Sequence, residues 1–276
     1  MIEDSFFLDD GHVKITAASV GISKLRWTSV KEQEIDNGLH FQLMKKNRFD
    51  HLPIVPDNGP ITEYFKTEIP NQFDKITRNR INYDDIISLD TDIRDVIDKF
   101  ANKNRTFYFL HYQKRISGLI TLGNLNCRQV QVYLFSHICE LERKLSYFLN
   151  NQLSNQEIEN WVQSKIIDGD PKCKYKLIIE NYKSLEDSSL ENHLTEQLFL
   201  VDFFNIITNK KLFVNLDYDK SKWQELSSIN ELRKRIAHPT RSLIDKENNI
   251  FKLQERIKKM EELTFRLNTR RRSNIY

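Results

Sequence analysis

The spacing of apolar residues changes once along this chain, near residue 125. Before that point short apolar runs are separated by turn residues, as in strands. After it apolar residues recur at three and four, as on amphipathic helices. In the first half, Val13-Lys14-Ile15-Thr16 and Lys24-Leu25-Arg26-Trp27-Thr28-Ser29-Val30 alternate weakly and predict short strands or the approaches to them. Ile35, Leu39, Leu43 and Met44 share one face of a helix. His51-Leu52-Pro53-Ile54-Val55-Pro56 predicts an apolar strand, Asp57-Asn58-Gly59-Pro60 a turn, and Ile61-Thr62-Glu63-Tyr64-Phe65 a second strand. The same order then recurs. Ile87-Ser88-Leu89-Asp90-Thr91-Asp92 leads into a helix with Ile93, Val96, Ile97 and Phe100 inward. Strands over 106–110 and 115–121 follow, with a turn at His111-Tyr112-Gln113-Lys114. Two copies of helix, strand, turn, strand are an internal repeat, which constrains a fold more than any single motif.

Beyond residue 125 strand signals fade. Leu134, Ile138, Leu141, Leu145 and Phe148 predict a long helix, and Ser154 is positioned to cap another through Ile158, Trp161 and Ile166. Asp168-Gly169-Asp170-Pro171 breaks the chain. Helical patterns resume over 175–182, 190–207 and 223–238, and a last helix carries Ile250, Leu253, Ile257, Met260, Leu263 and Leu267. The expected fold is α+β over 1–125, built of tandem repeats, followed by an all-α bundle over 126–276.

Composition narrows the functional classes. A net charge of +3 and a charged fraction of 29% do not by themselves mark a nucleic-acid binder, so the position of charge matters more than its total. No apolar run reaches the roughly 18 residues a bilayer span requires, and Met1-Ile2-Glu3-Asp4-Ser5 lacks the basic start of a secretory signal. Cys127, Cys139 and Cys173, odd in number and widely spaced, suit reduced thiols better than a disulfide framework or a zinc site. The expected location is the cytoplasm, with no membrane partner and no metal. With only 7 glycines there is no GxGxxG and no P-loop, which removes phosphate cradles of those kinds.

The stretch with most chemistry is Ile229-Asn230-Glu231-Leu232-Arg233-Lys234-Arg235-Ile236-Ala237-His238-Pro239. Ile229, Leu232 and Ile236 form a buried stripe, and the proline predicts that the helix ends at His238. On an ideal helix Arg233 and His238 are about 140° and about 7.5 Å apart. They meet only if the last turn unwinds or a second copy of the chain completes the pair. A basic last turn is also what the helix dipole favours, and a His-Pro stop is ordinary.

Two families resemble this sequence. The repeat resembles a tandem CBS-domain pair, in which a helix precedes a strand like Leu52-Pro53-Ile54-Val55. A later strand there ends in Gly-apolar-apolar-Thr-x-x-Asp, here Gly118-Leu119-Ile120-Thr121-Leu122-Gly123-Asn124. The resemblance implies a regulatory adenine nucleotide, with Thr121 and Asn124 as nucleotide-binding residues. Asn124 stands where the family carries aspartate and loses a charge-assisted acceptor. The first repeat has no such Thr-x-x-Asp.

The helical half resembles the HEPN ribonucleases of abortive-infection systems, through Arg233-Lys234-Arg235-Ile236-Ala237-His238 and through Glu140-Leu141-Glu142-Arg143-Lys144-Leu145 early in the bundle. It implies a toxin or antiphage-defence endoribonuclease that needs no metal or cofactor and forms its site across a homodimer. Arg233 and His238 are then the catalytic residues. Histidine can move the proton of the attacking 2′-hydroxyl, and arginine offers a fork of donors to the charged phosphorane. Lys234, Arg235, Arg270, Arg271 and Arg272 would bind the RNA backbone, as would Arg266. Lys234 departs from the Asn, Asp or His common at that position. The alternative is a non-catalytic RNA- or partner-binding regulator that uses the helical half to dimerise.

Overall fold

The computed structural model describes residues 15–167, 173–187, 193–238 and 240–273, without the side chains of 186–187 and 270–273. The chain forms two compact units, one over Lys14–Val130 and one built on Gln131–Tyr276.

The first unit holds α1 (Ala17–Val20), β1 (Ile22–Ser23), β2 (Val30–Lys31), α2 (Leu39–Asn47), β3 (His51–Val55), β4 (Glu63–Ile69) and β5 (Gln72–Arg80). After these come β6 (Ile86–Ser88), α3 (Ile93–Lys103), β7 (Phe107–Tyr112) and β8 (Arg115–Thr121). Two four-stranded sheets result, ordered β2-β3-β4-β5 and β6-β7-β8-β1. In each, a short strand runs parallel to the strand after its helix, and that strand then turns back antiparallel. The repeat expected from the sequence is therefore a β-α-β-β module used twice, and β5 and β1 occupy the same edge in the two copies.

Each module has a sequence cause. Asp92 caps α3 by accepting the Arg94 N–H at 2.8 Å, and Ile93, Val96, Ile97 and Phe100 are buried as their spacing required. In the first copy α2 packs Met44 against Val30, Leu52, Ile54 and Phe65. A second cluster joins Tyr64 of one sheet to Phe107, Phe109, Ile116 and Leu119 of the other. Gly118 is required where β1 meets β8, because a Cβ there would lie 2.5 Å from the Ile22 carbonyl oxygen.

Three expectations are narrowed or corrected here. Of residues 24–30 only Val30 is in a strand, β2; 24–29 are its approach, a turn and bend held by hydrogen bonds such as Trp27 N–H to the Ser23 carbonyl at 3.0 Å. Of the other early strand, Val13 and Lys14 lie outside the described residues, and Thr16 makes only an isolated bridge to Asp92. The turn of the second hairpin is confined to Gln113 and Lys114, both at positive φ as a two-residue hairpin loop requires, so His111 and Tyr112 stay in β7. Strand β5 has no counterpart in the sequence reading. Its apolar contacts, Phe73 and Ile76, are only half-buried, and the turn before it depends on Asp50. That carboxylate accepts from the Asn71 N–H at 2.7 Å and the Thr67 hydroxyl at 2.8 Å.

The second unit is helical: α4 (Arg128–Gln152), α5 (Asn155–Gln163), α6 (Lys174–Asp187), α7 (Leu200–Asn209), α8 (Lys220–Glu225), α9 (Ser228–Ile236) and α10 (Ile250–Ser273). Ser154 caps α5 in a reciprocal pair with Glu157. The break at 168–171 lies outside the described residues. The helix expected over 190–207 begins at Leu200, after a tight turn at Leu194–Gln197.

The helix expected over 223–238 is two helices. Trp223, Leu226, Ile229 and Leu232 are spaced by threes, which drifts about 60° per step on an α-helix. A tight break at Leu226 and Ser227, with the Ile229 N–H bonded to the Leu226 carbonyl at 3.0 Å, restores the phase and keeps all four buried. No helix among the described residues is long and apolar enough to cross a membrane.

Candidate functional site

Helix α9 presents Arg233 to α4. Its Nε lies 3.5 Å from Glu142 Oε1, an ion pair at a length beyond a strong hydrogen bond. The guanidinium also lies 5.6 Å from the centroid of the Phe199 ring, in the segment entering α7. Both charges are partly buried, with 29% of the Arg233 side chain and 24% of the Glu142 side chain exposed. Burial lifts the Glu142 carboxyl above its ordinary range, against the opposing pull of Arg233 and of the Leu200 N–H. Arg233 is thus anchored through Nε and its π-face. Its terminal amines make no hydrogen bond among the described residues, so the fork remains available for an oxyanion.

Phe199 is itself fixed. Asp202, fully buried in α7, accepts from the Phe199 N–H at 3.1 Å, from Lys174 Nζ at 2.7 Å and from the Tyr175 hydroxyl at 2.9 Å. The Tyr175 hydroxyl is raised well above its usual range by burial and by the bond to Asp202. An acid inside the apolar run Leu200-Val201-Asp202-Phe203-Phe204 was the sequence signal for this network.

His238 lies beyond the helix. Helix α9 ends at Ile236, two residues before the expected stop, and Ala237 closes it by donating to the Arg233 carbonyl at 3.0 Å. His238 is exposed in the following bend, where its N–H bonds the Arg235 carbonyl at 3.2 Å. The regular-helix separation of Arg233 and His238 therefore does not apply. Arg233 meets Glu142 and Phe199; it makes no hydrogen bond or ion pair with His238. Pro239 lies outside the described residues.

The other basic residues differ in how they are engaged. Lys234 pairs with Glu231 at 2.9 Å on the exposed face. Arg235 bonds the Ser242 carbonyl at 2.8 Å and Asp245 at 2.7 Å, so it clamps the loop before α10. The Asp245 carboxyl is held down at about 2 by the Asn248 N–H and by Arg235. Arg266 donates to the Leu216 and Asp217 carbonyls, pairs with Glu262 and stacks on Tyr218, which commits it to the fold. Arg270, Arg271 and Arg272 belong to the last turn of α10, and their side chains lie outside those described.

In the repeat unit, Thr121 and Asn124 bind each other. Asn124 Oδ1 accepts from the Thr121 N–H at 2.8 Å and hydroxyl at 2.9 Å, capping the turn Leu122–Asn126. Thr121 pairs in register with Phe107. Phe107 lines a cleft of about 440 Å³ that also takes in His51, Tyr64, Lys66, Asp85 and Arg105. Asp85 and Arg105 form an ion pair. His51 stacks on Phe107 at 4.1 Å, and burial, aided by Lys66, lowers its pKa to about 4. Neither Thr121 nor Asn124 lines that cleft. Among the described residues, no group of three or more His, Cys, Asp or Glu is arranged to hold a metal ion.

No protein-family model and no curated protein matches the sequence. Among solved structures, the N-terminal part is similar to CBS-domain proteins. One is the CBS domains of a transcriptional regulator from Streptococcus pneumoniae, at 15% identity over 39% of this chain and 92% of that one, TM-score 0.30. Another is CBSX2 in complex with AMP, at 14% identity over 42% and 97%, TM-score 0.32. A third is the CBS-domain protein TA0289 of Thermoplasma acidophilum, at 15% identity over 45% and 77%, TM-score 0.31. Likenesses at this level carry over neither ligand nor activity. The twofold β-α-β-β module rests on its own strand pairing.

Proposed function

We propose that the helical unit is a metal-independent endoribonuclease of the HEPN type, acting in toxin or antiphage defence, and that the repeat unit regulates it by binding a nucleotide. One observation carries the nuclease reading. The two stretches the family resemblance singled out, 140–145 and 233–238, meet through Glu142 and Arg233, although 91 residues separate these two in sequence. That contact leaves the terminal amines of Arg233 for a phosphate, and His238 is exposed to solvent two residues past the helix end.

In the proposed reaction His238 takes the proton from a ribose 2′-hydroxyl, which attacks the adjacent phosphate. Arg233 binds the extra negative charge that develops on it. The P–O5′ bond breaks, and the 5′-oxygen leaves with a proton returned by an imidazolium, that of His238 or of the same residue in the second copy, giving a 2′,3′-cyclic phosphate and a 5′-hydroxyl. A second copy of the chain supplies the partner motif. The 440 Å³ cleft, with the Asp85–Arg105 ion pair and stacked rings, supports a small planar, charged ligand such as an adenine nucleotide in the repeat unit.

The direct test is incubation of the purified protein with labelled RNA in EDTA. Wild type is expected to cleave and His238→Ala to leave the RNA intact; equal cleavage, or none by either, removes the enzyme reading. A second reading is favoured by Lys234, which departs from the family and is tied to Glu231. On it the unit binds RNA or a protein partner without cutting. Saturable RNA binding without cleavage, weakened by replacing Arg270, Arg271 and Arg272, is its expected result.

A further inference from the structure

Glu142 has a second role beside its contact with Arg233: it forms one wall of a groove of about 720 Å³ in the helical unit. The remaining walls include Ser146, Tyr147, Asn150 and Asn151 of α4, and His193 and Thr195 of the segment before α7. Its volume falls within the range of sites that hold a small organic molecule. The lining mixes polar and apolar groups: Glu196 adds a second carboxylate, and Leu198 and Phe203 add apolar surface. The hydroxyl of Ser146 donates to Thr195 Oγ1 at 2.8 Å, and Thr195 in turn donates to Asn150 Oδ1 at 3.1 Å. Thr195 is buried, so this chain of bonds cannot rotate freely. With its carbonyl end held by Thr195, Asn150 offers the groove its N–H donors. Tyr147 contributes a ring that is 50% exposed, and the Arg143 guanidinium lies 5.8 Å from its centroid. Arg143 is kept in place by a two-pronged bond to Glu140, with both distances 2.9 Å.

A half-exposed flat ring beside an amide donor and an imidazole matches one class of ligand in particular. An unpaired nucleobase has a π-face for stacking and an edge of hydrogen-bond acceptors and donors. We propose that this groove binds one base of single-stranded RNA next to the phosphate engaged by Arg233, and so sets where the chain cuts. The proposal rests on the nuclease reading above and adds a substrate class to it: unpaired RNA with a preferred base at the cleavage site. Glu142 joins the two subsites, since the same side chain pairs with Arg233 and borders the groove. Tyr147 supplies the stacking face. Asn150 selects a base that presents an acceptor.

The test uses the full chain in two arms. In the first, wild type, Tyr147→Ala, Tyr147→Phe and Asn150→Asp digest a random-sequence single-stranded RNA pool, and the cut ends are sequenced. Wild type is expected to show a base preference. Tyr147→Ala should lower cleavage at the preferred base at least tenfold and Tyr147→Phe restore it. Asn150→Asp keeps the acceptor for Thr195 but replaces the outward donors, so it should change which base is favoured. A general loss from added negative charge would lower cutting at all bases alike. In the second arm, His238→Ala is titrated with labelled homopolymeric oligonucleotides by fluorescence polarisation, alone and combined with each groove substitution. Cutting with no base preference, or a preference that all three groove variants retain, overturns this inference and leaves the nuclease reading standing. Base-selective binding lost in Tyr147→Ala without any cleavage by wild type keeps the groove and removes the nuclease. Absence of oligonucleotide binding in the second arm overturns the groove as well.

Discussion

Arg233 and His51 show how a side chain reads differently once its neighbours are known. An arginine in the last turn of a basic helix has a bland explanation in the helix dipole. Arg233 is more constrained than that, because Glu142 holds Nε and Phe199 covers its plane. Arg233→Lys keeps the charge but has a single ammonium to divide between Glu142 and a phosphate. It is expected to lower kcat/KM for RNA about a hundredfold, near the loss of one preorganised oxyanion donor. Single-turnover cleavage by wild type and variant checks this, and a change below threefold would remove Arg233 from the phosphate site.

His51 is a packed side chain whose neutral form the fold prefers. Its folded pKa of about 4 lies below the ordinary 6.5, so between those values the unfolded chain binds more protons. Stability is therefore full above pH 6.5, falls as pH drops toward 4, and is flat below that as far as this group is concerned. The shift corresponds to roughly 3 kcal/mol. His51→Phe keeps a ring against Phe107 and should abolish this part of the slope, measured as the difference in urea midpoints of the two proteins at pH 6.5 and 4.5. The sequence singled out Arg233 and placed His51 only within a strand. It could not give their partners, which come from other elements.

At the scale of elements, what was legible was periodic and local. Helix α3, with its Asp92 cap and four inward residues, could be read directly because the cap and the stripe lie within one segment. Helix α4 was equally clear. The failures share a cause in tertiary context. Strand β5 packs only half-buried side chains and depends on Asp50 for its turn. The break between α8 and α9 corrects a three-residue spacing that looked continuous as a pattern. Among contacts between elements, Asp202 carries the most. It ties α6, through Lys174 and Tyr175, to the start of α7, and by fixing Phe199 it supports Arg233. Asp202→Ala leaves the Tyr175 hydroxyl and the Phe199 N–H without their acceptor, while Lys174, 42% exposed, can turn to water; it is expected to cost about 1–3 kcal/mol, as when a buried polar group loses its partner. Thermal or urea unfolding measures the loss. RNA cleavage under conditions where the variant remains folded should fall as well, because Phe199 is released. A stability loss below 1 kcal/mol would show that the cluster is better hydrated than its burial indicates.

The whole molecule joins two units with separate cores, and its three tryptophans divide between them. Trp27 packs edge-on to Phe109 in the repeat unit, while Trp161 and Trp223 are buried in the helical unit. Each unit can thus be followed by its own fluorophore in variants that keep either Trp27 alone or the other two. Urea unfolding is expected to give distinct midpoints for the two reporters, since each unit buries its own apolar cluster. A regulatory nucleotide in the cleft beside His51 and Arg105 stabilises only the state that binds it. At a hundred times its dissociation constant the gain is about 2.7 kcal/mol, so AMP at that excess should move the Trp27 transition upward. A linked shift at Trp161 and Trp223 would mean that binding is felt in the helical unit, as regulation of a nuclease requires. A shift confined to Trp27 would leave a ligand-binding repeat with no hold on Arg233. Two unmoved transitions would remove the nucleotide from the proposed function and leave the twofold β-α-β-β module as a scaffold.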